Sequence, residues 1–279
     1  SLPDLVDVVD RLFVGYQKNF APVLYSQSFI TKDPKTRNSG LATLYAENII
    51  TNQYAAQTPE GSPAETYPAQ YGYEKAAYIN YFKKNISITR ALREAGKGNQ
   101  VERQVRDLVE APMNRLELDL ANRFTYAWST SYTNAEGITV DTTSGDALAM
   151  ISTAHTLTGT STTWSNQVTG NPAFSKAALE LAEQIAQRNT FDNLGKNITF
   201  KGTHIVTTND PVTCNQVQEL IHATQNVNAT GANTYNVYST SAAGYTHVIA
   251  PRIALDSTGA RQTTYEKYWV VVDDRLTSF

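Results

Sequence analysis

The sequence predicts an α+β fold, in which helices and strands follow one another in no regular alternation. The most regular helical pattern runs from Val101 to Trp128, where apolar residues recur every three or four positions. Two strand-like runs precede it, at residues 45–56 and 74–89, and flank a connection rich in proline and glycine. Shorter helical and strand-like runs follow it. With 41% hydrophobic residues in 279, the chain can bury one large or two modest cores.

Residues 1–44 are predicted to form an amphipathic helix followed by an extended arm. Apolar side chains of the first 14 residues fall on one helical face, and charged side chains fall mainly on the opposite face. The acidic residues of this segment are Asp4, Asp7 and Asp10. Residues 17–40 combine turn formers with apolar residues in no period, which is typical of an arm. The helix requires an apolar surface on which to dock.

Residues 45–95 are predicted to form a long hairpin with a polar tip. The tip carries three prolines, Pro59, Pro63 and Pro68, and is far longer than the roughly 2 to 5 residues of an ordinary hairpin loop. Two interpretations stay open: a disordered surface loop, or an arm that becomes ordered on a neighbouring subunit.

The long helix lies within residues 96–130. We expect Pro112 to bend it, because its ring meets the carbonyl of Leu108 and it has no N–H to donate. The alternative is two separate helices that meet at this proline. The charges along the helix mix both signs, which is typical of a solvated face.

Residues 131–266 and 267–279 contain shorter elements. They are a helix over Ser175–Gln187 with Ser175 or Asn171 as a possible cap, a strand over Thr203–Thr208, a helix over Asn215–Ala223, and strands over Thr246–Leu255 and Lys267–Asp273.

Composition and motif searches exclude several classes of protein. The formal net charge of -3 gives no global positive field that would attract nucleic acid or an anionic membrane. One cysteine, Cys214, excludes an internal disulfide framework and is interpreted as a buried bystander in a reducing cytosol. No apolar run reaches the ~18 residues that cross a bilayer. The sequence contains no CxxC, HExxH, GxSxG or phosphate-binding loop motif. We therefore predict a soluble, unexported protein with no catalytic residue, cofactor, metal site or membrane contact.

Three passages resemble the major capsid proteins of tailed bacteriophages of the Hong Kong 97 type. Gly72–Lys75, Tyr81–Lys84 and Ile86–Leu92 are similar to the passage that leads from loop to long helix in that family. Gly145–Leu157, with Ser165–Asn166 after it, resembles a passage of the Mu-like major head subunits, although Met150-Ile151 and Thr156 depart from the family pattern. The order of the closing strands, which ends in Tyr268–Asp274, is the third similarity.

The resemblance implies a complete architecture. Residues 1–44 would be the N-arm, 45–95 the E-loop, 96–130 the spine helix of the peripheral domain, 131–266 the axial domain, and 267–279 a closing strand that returns to the peripheral domain. The implied function is self-assembly into hexamers and pentamers of an icosahedral shell. The implied partners are scaffolding, portal and decoration proteins and double-stranded DNA bound without sequence specificity, in a virion assembled in the host cytoplasm.

Basic residues gather at the foot of the predicted hairpin: Lys83, Lys84, Arg90, Arg93 and Lys97. We expect contacts between subunits from these residues and from the tip prolines. The candidate acidic partners are Asp4, Asp7 and Asp10, and also Glu102, Glu110 and Asp119. A DNA-binding patch is the alternative, although strong phosphate contacts would oppose packing and release of DNA.

Two other classes of protein remain open at this point. An encapsulin-type shell shares the fold and would enclose an enzyme in place of DNA. A hydrolase with an unrecognised site would need a deep pocket with converging carboxylates of perturbed pKa.

Overall fold

The computed structural model describes residues 22–27, 43–49, 57–63, 70–78, 80–87, 98–158, 160–192, 195–223, 236–239 and 244–274. The helices in this part of the chain are α1 Gly98–Thr125, α2 Lys176–Asn189 and α3 Pro211–His222. The strands are β1 Thr43–Ile49, β2 Gln70–Ala77, β3 Ser131–Thr133, β4 Thr139–Asp141, β5 His155–Thr156, β6 Thr163–Trp164, β7 His204–Thr207, β8 Thr246–Ile249 and β9 Trp269–Val272. The predicted mixture of helices and sheets is confirmed. None of the helices described has the length and apolarity needed to cross a membrane.

The predicted hairpin is an antiparallel pair of β1 and β2 whose register shifts between Ala46 and Asn48. The predicted bounds of its second strand, 74–89, are wrong, because β2 runs from Gln70 to Ala77 and residues 78 and 80–87 have no regular structure. The alternating pattern beyond Ala77 predicts a strand only if one face is buried. The side chains there are mostly exposed, so that condition is not met.

The long helix α1 continues through Pro112 without a break, so the alternative of two separate helices is wrong. Pro112 lies on an exposed face of the helix, where water can satisfy a carbonyl that has lost its N–H donor. The buried side of the first turns consists of Val101, Val105 and Val109, as the apolar period predicts. A bend at Pro112 stays a prediction.

The core is organised around a three-stranded sheet in the order β8-β7-β9, with β7 parallel to β8 and antiparallel to β9. Side chains alternate between its two faces. Ile205 packs with the apolar sides of α2 and α3, whereas Val206 packs with Ala121 of α1. The sheet therefore lies between α1 on one face and α2 with α3 on the other.

The predicted closing strand is present as β9, which hydrogen-bonds to β7 over its whole length. Tyr268 and Val272 pack against the cluster that contains Ala121 of α1, so the strand contacts the helix from within the sheet. Its continuous apolar run gives it two apolar faces, as is typical of a strand covered on both sides. The assignment of residues 267–279 to the domain of the long helix stays a prediction.

Two of the shorter elements depart clearly from their predicted bounds. The strand predicted to reach Leu255 ends at Ile249, because Pro251 begins a 3-10 helix, Pro251–Ala254. Helix α3 begins at Pro211, ahead of the predicted Asn215, since Asp210 caps it by accepting the N–H of Thr213. Ser175 is confirmed as the cap of α2, whereas Asn171 lies in a turn with φ +46°.

Candidate functional site

The most exposed aromatic side chains in the described residues lie directly after β2. Tyr78, Tyr81 and Phe82 expose 75%, 78% and 54% of their surface, and the neighbouring Lys83 and Lys84 are also exposed. We call residues 78 and 80–85 the aromatic–lysine segment. Exposed aromatic side chains grouped in one short segment mark an interaction surface more often than single exposed apolar residues do.

Arg115 of α1 anchors the aromatic–lysine segment to the body. Its guanidinium carbon lies 4.8 Å from the centre of the Phe82 ring, in a cation–π contact. Its two terminal nitrogens bind Glu136 at 2.5 and 2.9 Å, and its Nε donates to Asp119 at 3.0 Å. These hydrogen bonds raise the pKa of Arg115, and the bond with Glu136 has the largest effect. Since Asp119 is already paired within the chain, it is a weaker candidate for lysines of an adjacent subunit than the sequence suggests.

Two polar side chains of β2 attach the hairpin to the body. Lys75 binds Asp141 at 3.0 Å and the hydroxyl of Thr143 at 2.8 Å, and it also donates to the Thr143 carbonyl. The hydroxyl of Tyr73 lies 2.9 Å from that of Thr156. Hydrogen bonds from Thr143, assisted by Lys75, lower the pKa of Asp141 to about 2. The foot of the hairpin is therefore held through polar contacts with the end of β4, with the loop that follows it and with β5.

The predicted contact residues fall into two groups. Lys83 and Lys84 are exposed, as are Pro59 and Pro63, which lie in a tip where the N–H of Ser62 donates to the Pro59 carbonyl. The others lie outside the described residues: Asp4, Asp7, Asp10, Pro68, Arg90 and Arg93. The two lysines directly follow two of the exposed aromatic rings in the chain. Those rings were not predicted to form a surface.

A cleft of about 740 Å³ opens between α2, β9 and the loop after β6. Six aromatic residues line it: Trp128, Trp164, Phe191, Phe200, Tyr268 and Trp269. Two small residues of α2, Ala182 and Ala186, leave the space open. Sequence reasoning missed this aromatic cleft, because its tryptophans come from three distant parts of the chain and no local motif joins them.

The polar groups of the aromatic cleft are mostly paired among themselves. Asn189 donates to the Ser165 carbonyl at 2.6 Å, and the indole N–H of Trp269 donates to the Pro172 carbonyl at 3.0 Å. The indole nitrogens of Trp128 and Trp164 are buried and have no acceptor among the described residues. The aromatic cleft is thus a mainly apolar surface, and no carboxylate is among the described residues that line it.

One histidine–carboxylate pair resembles part of a catalytic arrangement. His155 Nδ1 lies 2.7 Å from Asp146, and both side chains are 5% exposed. Its other ring nitrogen lies 3.3 Å from the Met150 carbonyl, and the ring stacks on Trp164. Since both nitrogens contact groups of the same loop, this pair fastens the loop and is not arranged to act on a substrate.

His247 takes part in a second internal arrangement. It lies 2.8 Å from the hydroxyl of Thr207 and 2.7 Å from the amide nitrogen of Gln218, and burial lowers its pKa. Thr207 is fully buried, so it is inaccessible as a nucleophile. Cys214, predicted to be buried, is half-buried and donates to the Thr208 carbonyl at 3.2 Å. Within the described residues, no group of three or more His, Cys, Asp or Glu side chains could hold a metal ion.

Comparison with known proteins identifies no relative: no family model, no curated protein and no solved structure matches the chain. By its fold, this protein is an α+β chain with a three-stranded sheet between helices. It also carries a separate two-stranded hairpin that continues into the aromatic–lysine segment.

Proposed function

We propose that this chain is the major capsid protein of a tailed bacteriophage with the Hong Kong 97-type fold. Copies of it would form the hexamers and pentamers of an icosahedral shell around packaged double-stranded DNA. The observation that supports this function is the two-stranded hairpin, attached through Lys75 and Tyr73 and continued by exposed aromatic rings. The rings that continue the hairpin are exposed in the described part of the chain, so a neighbouring copy is the natural source of the apolar contacts they need.

The charges of the chain are consistent with this function. A shell that holds DNA without reading its sequence requires no strongly basic surface, and the formal net charge is -3. Lys83 and Lys84 are exposed beside the hairpin, where they can pair with carboxylates of an adjacent copy. Each exposed pair contributes only ~0 to 1 kcal/mol, but the same pair recurs at every equivalent contact in a shell.

Sedimentation velocity of the purified chain tests the proposal. A shell subunit sediments as rings of five or six copies and as larger closed assemblies, in proportions that depend on protein concentration. A chain that remains monomeric at every concentration is not a shell protein. Shells that retain a protein cargo in place of DNA would identify the encapsulin-type alternative.

A further inference from the structure

We infer that the aromatic cleft of one copy is the receptor for the aromatic–lysine segment of a second copy. The inference rests on the proposed self-assembly and assigns two of its contact surfaces. The described residues of each chain include both surfaces, so every copy can supply a segment and receive one.

The aromatic side chains of the two surfaces match, whereas the cleft is lined by Lys267 and by no described carboxylate, so Lys83 and Lys84 of the segment would stay outside it. Tyr78, Tyr81 and Phe82 are exposed rings, and the aromatic cleft is lined by rings in a space of about 740 Å³. Aromatic side chains bury about 150–250 Å² each, so three partly exposed rings supply roughly 300–500 Å². That area is about half of the roughly 800 Å² that one partner buries in a stable interface. The segment therefore provides a large part of an interface, and the hairpin beside it can provide the rest.

The segment cannot fill the cleft of its own chain in this conformation. Phe82 lies over Arg115, and the cleft begins at Trp128 beyond the end of α1. From Arg115 to Thr125 the helix rises about 15 Å at 1.5 Å per residue. The exposure of the three rings agrees with this separation. The segment that enters a cleft must therefore come from another copy.

A contact between two different surfaces has a consequence for symmetry. When a surface on one copy binds a different surface on the next copy, the assembly continues until it closes as a ring or grows as a filament. Hexamers and pentamers are rings of this kind. The contact between segment and cleft would thus lie within a ring, between neighbours related by its rotation axis.

The cleft contains its own spectroscopic probe, because the three tryptophans of the chain all line it. The receptor is the full chain with Tyr78→Ser, Tyr81→Ser and Phe82→Ser, whose own segment cannot compete. The ligand is a synthetic peptide of residues 77–85, which contains no tryptophan. We expect a saturable change in tryptophan emission, and none with a peptide that carries serine at the three aromatic positions. No change with the native peptide, or equal changes with both peptides, would overturn the inference.

A mixing experiment tests the same contact in the whole protein. Ala186→Phe fills the cleft from α2. The triple serine variant lacks the three aromatic rings of the segment. Each variant alone should stay monomeric, and an equimolar mixture should stop at heterodimers, since one functional segment and one functional cleft remain per pair. Rings formed by either variant alone would overturn the inference. If Ala186→Phe does not fold, the peptide titration decides. A wild-type chain that assembles while its triple serine variant assembles equally well would overturn this inference and leave the proposed function standing, whereas a wild-type chain that stays monomeric would contradict both.

Discussion

Glu117 of α1 accepts the backbone N–H of Leu24 at 3.1 Å, and its second oxygen accepts the N–H of Tyr25 at 2.9 Å. Glu117 is 5% exposed and Leu24 is fully buried in the cluster below the sheet. A single carboxylate therefore satisfies the first N–H groups of the 3-10 helix Leu24–Ser26, which have no partner within that helix. Glu117 thereby fixes the position of residues 22–27 against α1.

Replacement of Glu117 by alanine should lower the free energy of unfolding by about 2 to 4 kcal/mol, because one buried and one partly buried N–H group lose their acceptor. Glu117→Gln keeps one acceptor oxygen and should cost about half as much. Urea denaturation measures both values. Asp107→Ala is the control, since Asp107 is an exposed carboxylate of the same helix. Equal effects at the two positions would contradict the role of Glu117.

Arg115→Lys should loosen the aromatic–lysine segment. A lysine keeps the positive charge but loses the planar group that lies over Phe82 and binds Glu136 with two nitrogens. We expect faster amide hydrogen exchange over residues 80–87 and a loss of about 1 kcal/mol in overall stability. Arg103→Lys, at an exposed position of α1, provides the comparison. Unchanged exchange in the Arg115 variant would show that the anchor lies elsewhere.

Asp146 should give the chain an acid-sensitive loop. Burial disfavours its charge, but hydrogen bonds from Ser144, His155 and two backbone N–H groups outweigh this effect and lower its pKa to about 2. Since the pKa in the folded state is below the ordinary value near ~4, the charge stabilises the fold above about pH 4. This contribution is lost as the pH falls through about 2. It amounts to on the order of 2 kcal/mol.

The variant Asp146→Asn removes this titration. Its urea midpoint should be lower than that of the wild-type chain at pH 5, and the difference should shrink towards pH 2. Asp107→Asn, which changes an exposed carboxylate, should follow the wild-type profile. A difference that stays constant from pH 5 to pH 2 would rule out the charge as the cause.

Lys83→Gln combined with Lys84→Gln tests whether these lysines pair with carboxylates of a neighbouring copy. Pairing predicts that the double variant assembles less well already at low salt, where exposed charges interact most strongly. Lys196→Gln with Lys201→Gln, at exposed positions far along the chain, controls for the change in net charge. Assembly that is unchanged while retained DNA is lost would favour the DNA-binding alternative.

The sequence predicts the periodic elements of this fold well. The apolar period over Val101–Trp128 and the Ser175 cap of α2 identify two helices to within a few residues. Bounds are less predictable where tertiary contacts decide them. The alternation after Ala77 looks like a strand, but a strand with one apolar face persists only where another part of the chain covers that face. The structure leaves those side chains exposed.

The candidate surfaces are only partly visible in the sequence. Lys83 and Lys84 stand out as a local cluster of charge, and the structure leaves them exposed. The aromatic cleft depends on residues as far apart as Trp128 and Trp269, which meet because β9 joins the central sheet. Likewise, the two N–H groups bound by Glu117 lie 92 and 93 residues away, beyond the reach of any local pattern.

Electron microscopy of the purified chain tests the proposed shell function by showing the assembly itself. A shell protein should give closed particles of uniform diameter whose surface is built from rings of five and six subunits. The triple serine variant at Tyr78, Tyr81 and Phe82, prepared in the same way, should give free subunits. Dispersed single subunits or irregular aggregates in the wild-type preparation, at all salt and protein concentrations, would contradict it.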